Sequence, residues 1–132
     1  MGAWRFMNAV QFQLFENGDW IKRIDEGTVS VERVLWSRVA DEIKENGFNL
    51  FESLMAADIA FIDDIGAEHD PWGQVTAKLC QILTRREDKF TMITTNYGPV
   101  DWTAKFDARI SDRLLRGSDI VDLAGVESWS QL

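Results

Sequence analysis

Two adjacent carboxylates, Asp63 and Asp64, close the apolar run Ile59-Ala60-Phe61-Ile62 and are followed by Ile65-Gly66. A short apolar run bounded by polar residues fits a central parallel strand covered on both faces, although a buried helix segment shares that pattern. Ligands of open parallel sheets gather at the carboxyl ends of strands, and these two acids stand at such an end. Successive strand side chains point to opposite sides, which leaves one carboxylate to hold a metal ion and the other to face water. A second polar strand end, Asn96, closes the β-branched run Phe90-Thr91-Met92-Ile93-Thr94-Thr95. Further on, Arg109, Arg113 and Arg116 line one face of a helix whose other face carries Ile110 and Leu114.

The elements between these residues decide whether they meet. Trp72, Val75, Leu79, Ile82 and Leu83 recur at three and four residues, so the spacing predicts a helix to about Arg86, with Asp70 as its cap and Pro71 at its first position. Arg85 and Arg86 fall in its last turn, where positive charge suits the helix dipole. The unit from Ile59 to Asn96 thus reads strand, helix, strand. Such a crossover is parallel and right-handed in nearly all cases, which brings Asn96 to the edge that holds the aspartates. Upstream, Trp4 to Met7 reads as a strand, residues 9 to 16 as a short helix, and Thr28 to Asn46 as a longer helix with Val31, Val34, Leu35, Val39 and Ile43 on one face. Phe48 to Ala57 reads as a short helix leading into the central strand. Downstream, Asp101 can cap a turn containing Trp102 and Phe106, Gly117 ends the arginine helix, and Ile120-Val121-Asp122-Leu123 reads as a last strand.

Composition bounds the function. The 132 residues suit one domain, with 45% apolar and 27% charged residues. Fourteen basic against twenty-two acidic residues give a net charge of -8, which opposes sequence-independent attraction to phosphate backbones. Any role on nucleic acid is therefore local or indirect. Cys80 is the only cysteine, which excludes an internal disulfide and suits a reducing, cytoplasmic setting. The first residues lack the marks of a signal peptide, and no apolar run approaches the roughly 18 residues of a membrane span.

Each signal alone is weak, but their order resembles the nucleotide-hydrolysing core of AAA+ ATPases. More narrowly, Ala60-Phe61-Ile62-Asp63-Asp64-Ile65-Gly66, Met92-Ile93-Thr94-Thr95-Asn96 and Arg109-Ile110-Ser111-Asp112-Arg113-Leu114-Leu115-Arg116-Gly117 are similar to segments of DnaC/IstB-type helicase loaders and transposition helpers. The resemblance is firm from about Asp58 onward and loose before it. It implies an α/β fold, a partial P-loop NTPase core in three layers with a mostly parallel sheet. It makes Asp63 of the Walker B strand the magnesium ligand, and Asp64 the carboxylate that polarises attacking water where most relatives carry glutamate. Asn96 becomes the sensor of the γ-phosphate or that water, and Arg113 the finger that reaches a neighbouring subunit's nucleotide, with Arg109 its competitor. The implied cofactors are ATP and Mg2+. The implied partners are other ATPase subunits or a replicative helicase, with DNA reached through the complex and no membrane.

One departure is large. The sequence contains no G-x-x-x-x-G-K-[ST] segment and no Gly-Lys pair, so the loop that would cradle phosphates is absent. By the resemblance the chain starts at the family's second core strand, and the missing first strand would have lain between the strand of Asn96 and the last one. The expectation is a fragment or a degenerate gene product without ATPase activity of its own. Two other classes compete: a non-catalytic partner that regulates a complete ATPase in trans, and a magnesium nuclease built on Asp63, Asp64 and Glu68. Simpler roles compete as well. Paired aspartates and Asn96 suit turns, Arg116 can pair with Asp112, and His69 lacks further His or Cys ligands.

Overall fold

The computed structural model describes Gly27 and residues 29–121. The strand expected at Trp4 to Met7, the helix at 9 to 16 and the cap at Thr28 lie outside these residues. Three parallel strands form one sheet in the order β1-β2-β3: β1 is Val31–Leu35, β2 is Ile59–Ile65 and β3 is Phe90–Thr95. Around it lie α1 (Trp36–Lys44), α2 (Asn49–Ala56), α3 (Gln74–Arg85), a 3-10 turn at Pro99–Asp101, α4 (Trp102–Lys105) and α5 (Ala108–Arg116). β2 is central and buried along its first four residues, as a strand flanked on both sides must be.

The helix expected from Thr28 to Asn46 is corrected. Val31 to Leu35 pairs in parallel with Ile59 to Asp63, and the chain turns directly into α1 at Trp36. Val31, Val34, Leu35, Val39 and Ile43 satisfy a helical spacing, but β-branched residues also suit strands, and pairing with β2 decides. The start of that pairing is clamped: Ser30 donates its backbone N–H to the Asp58 carboxylate at 2.9 Å, and Asp58 returns its N–H to the Ser30 hydroxyl at 3.0 Å. Asn46, at a left-handed φ of 61°, helps to end α1 as expected.

The described helices gather on one face of the sheet. There Ala60 and Ile62 of β2 meet Trp36 and Val39 of α1, Leu54 of α2, Val75, Leu79 and Ile82 of α3, and Ile110 and Leu114 of α5. The opposite face carries a smaller cluster of Val29, Ile59 and Phe61, with Val31 and Met92 against it. The sheet is therefore parallel and of α/β type, as expected.

Three further expectations change. α3 begins at Gln74, so Pro71 precedes it, and Trp72 is 86% exposed instead of heading its apolar face. Asp70 still caps it, accepting from the backbone N–H groups of Val75 and Thr76 and from the Thr76 hydroxyl. Burial raises the Asp70 pKa, but these hydrogen bonds outweigh it and hold the carboxyl below its ordinary value. Arg86 is no solvated dipole complement. It is 2% exposed and donates to the carbonyls of Leu54, Ala57 and Phe90 and to the Thr91 hydroxyl, tying the end of α2 to the start of β3. Ile120 and Val121 stand outside any strand, and Asp122 and Leu123 lie outside the described residues.

Candidate active site

Ile62 of β2 pairs with Ile93 of β3, and the next pair is Ile65 with Thr95. Two residues, Asp63 and Asp64, therefore oppose one, Thr94. This is a β-bulge, a device that re-aims side chains and recurs beside active sites. It also interrupts the simple alternation along β2, since Ile62 and Ile65 both join the main core. The extra residue lets Ile65 return to the main core, fully buried, while Asp63 and Asp64 both remain half-buried. Asp64 adopts φ 61°, a left-handed conformation that costs a non-glycine residue free energy and that clusters at functional sites.

A single hydroxyl holds the bulge. Thr94 Oγ1 donates to Asp63 Oδ1 and accepts the backbone N–H of Asp64 at 2.8 Å. Next along β3, Thr95 Oγ1 donates to the Ile65 carbonyl at 2.8 Å and accepts the Tyr97 N–H at 3.2 Å. Asn96 is exposed, and its Nδ2 stands 3.5 Å from Asp64 Oδ1. The structure thus brings Asp63, Asp64 and Asn96 together at one carboxyl edge. On the flanking strand, Arg33 pairs with Phe61 and so lies on the face of Asp63, two residues further along β2. Burial lowers the Arg33 pKa, and the Asp63 charge partly opposes this.

The first residue after β2 is closely packed. Gly66 has φ 97°, and a methyl group there would lie 2.7 Å from the Tyr97 ring. Tyr97 stands edge-on to Phe106 at 6.2 Å, and its carbonyl accepts the Trp102 indole N–H at 2.7 Å. The carboxylate turn, the Asn96 turn and the segment leading into the arginine helix therefore meet at one aromatic ring. Glu68 accepts the Gly66 N–H at 2.7 Å, which ties it to its own loop.

The arginines are not joined to this edge. Asp107 caps α5 by accepting the Ile110 N–H, and its other oxygen binds Arg109 at 3.0 Å. Burial raises the Asp107 pKa, but the Ile110 and Arg109 hydrogen bonds lower it further, and the Asp107 hydrogen bond raises that of Arg109. Arg109, 70% exposed, borders a hollow of about 230 Å³ between α3 and α5 with Cys80 and Arg85. Arg113 stands 4.0 Å from Glu87, and Arg116 pairs with Asp112 at 2.7 Å as expected. Any finger role for Arg113 or Arg109 is thus toward another molecule.

Magnesium is commonly held through one or two carboxylates, with water and phosphate oxygens completing its shell, and Asp63 with Asp64 fits that chemistry. Among the described residues no group of three or more His, Cys, Asp or Glu could hold a metal by itself, and His69 is exposed. A nucleotide fits less well, because no glycine-rich loop is present to hold its phosphates. No helix among the described residues is long and apolar enough to cross a membrane. Thr94, Thr95, Arg33 and Tyr97 escape the sequence reading; a threonine pair before a polar strand end is the one signal that could have drawn attention to them. Comparison with models of known protein families finds no match for the chain, and comparison with curated proteins finds none.

Proposed function

We propose that the chain is the cation- and water-handling part of an AAA+-type ATPase core of the helicase-loader kind. It lacks ATPase activity alone and is completed by a phosphate-binding loop from outside these 132 residues. The observation that carries this reading is the bulge that sets Asp63 and Asp64 against Thr94 at the end of a central parallel strand, with Asn96 Nδ2 at 3.5 Å from Asp64. In the reading, Asp63 is the magnesium ligand, and the ion when bound polarises a phosphoryl oxygen. Asp64 accepts a hydrogen bond from a water molecule, and the Asn96 amide donates one to the same region. Arg113, half-exposed on α5, is the finger toward a neighbouring subunit, with Arg109 its alternative. Three layers, a cytoplasmic setting and a replicative helicase as partner belong to the same proposal.

Paramagnetic broadening of amide signals by Mn2+ tests it. Broadening centred on residues 62–66 and on Asn96, and lost in Asp63→Asn, is the expected result. Broadening centred elsewhere, or unchanged in that variant, contradicts the reading. The partner-module alternative draws on the exposed arginines of α5 and predicts altered hydrolysis when the chain is mixed with a complete AAA+ ATPase.

A further inference from the structure

The bulge poses a backbone problem whose solution suggests a role for Thr94 beyond strand packing. An extra residue in a ladder leaves its own polar groups out of register, and a buried amide without an acceptor costs about 1–3 kcal/mol. Here the N–H of Asp64 leaves the ladder and is accepted by Thr94 Oγ1 at 2.8 Å. The same oxygen carries one proton, and that proton is given to Asp63 Oδ1. Thr94 is buried and its two partners are half-buried, which limits the competition of water for either bond. One hydroxyl therefore fixes two things together: the rotamer of Asp63 and the left-handed backbone that aims Asp64.

We infer that Thr94 is the positioning residue of a divalent-cation site at Asp63, an inference that rests on the cation reading above. It commits Asp63 Oδ1 to the protein, so that an ion or a water bound to it engages Asp63 through Oδ2, in competition with the nearby charge of Arg33. Hydrogen bonds to the ligating carboxylate from outside the coordination sphere commonly change metal affinity by about 10- to 100-fold. Threonine suits the role because its hydroxyl donates and accepts at once, and β-branching restricts its side-chain torsion. Serine keeps the hydroxyl. Valine keeps the shape and loses both bonds.

The test is the Mn2+ titration of amide signals at residues 62–66 in the wild-type chain, Thr94→Val and Thr94→Ser, with circular dichroism to confirm that each variant is folded. The expected result is that Thr94→Val needs at least about tenfold more Mn2+ for equal broadening, while Thr94→Ser stays within about twofold of wild type. A purely structural role for Thr94 predicts a lower melting temperature with unchanged Mn2+ dependence. That result, or equal titrations in all three folded chains, overturns the inference and leaves the cation reading standing. If Thr94→Val does not fold, Thr94→Ala takes its place: a roughly tenfold loss in the folded alanine variant beside near-wild-type affinity in Thr94→Ser supports the role of the hydroxyl, and equal titrations overturn it. Absence of broadening at Asp63 and Asp64 in the wild-type chain overturns the cation reading and the Thr94 role together.

Discussion

At the scale of single residues, two side chains do work that their types concealed. Thr94 reads in the sequence as one more β-branched strand residue, and Arg86 as one more basic residue at a helix end. Both readings are sound as propensity, and both fail because propensity says nothing about hydrogen bonds across 30 residues of chain. Asp63, Asp64 and Asn96 were legible because strand ends are where polarity changes abruptly. Arg86 also carries a stability prediction. Burial lowers its pKa while Asp58 opposes the shift, and its guanidinium satisfies three backbone carbonyls and a hydroxyl. Truncation strands buried acceptors, each costing about 1–3 kcal/mol, so Arg86→Ala lowers the urea-unfolding free energy by about 3 kcal/mol or more. Arg86→Lys recovers only part, because an ammonium group lacks the planar fork that reaches separate acceptors. A loss below about 1 kcal/mol in Arg86→Ala would show that water or neighbouring donors replace it.

Among the elements, β2, α2, α3, β3 and α5 follow their hydrophobic periods, and their order placed the acids and Asn96 on one edge. β1 did not follow, because Val-Glu-Arg-Val-Leu fits either period and only the neighbouring strand selects between them. The start of α3 was misplaced for a related reason: Asp70 caps from a distance, through a turn, and Trp72 lies outside the helix. The coupling between elements runs through Gly66 and Tyr97. A side chain at Gly66 meets the Tyr97 ring and must also adopt φ 97°, so Gly66→Ala destabilises by about 2 kcal/mol in urea unfolding. Adding Tyr97→Ala removes the closest clash but not the backbone strain or the Phe106 ring at 3.3 Å. The double variant is therefore more stable than the sum of the single effects predicts, and strict additivity would show that the two positions do not touch.

For the whole molecule, the acidic balance and the missing phosphate loop point the same way. A net charge of -8 gives no general attraction to phosphate groups, and the described carboxyl edge offers carboxylates and an amide where a nucleotide needs backbone N–H groups and a lysine. The arginines of α5 stand beside other acids instead, Arg109 beside Asp107, Arg113 beside Glu87 and Arg116 beside Asp112. In the function proposed above, the chain is one half of a catalytic arrangement, with Asp63, Asp64 and Asn96 on the cation and water side and the phosphate side supplied from elsewhere. The most direct test is a titration of the chain with MgATP, followed through the amide spectrum and through phosphate release. The expected result is weak binding, with Kd on the order of 1 mM or above, changes centred on residues 62–66 and Asn96, and no phosphate release. A micromolar Kd, or hydrolysis by the chain alone, would contradict it.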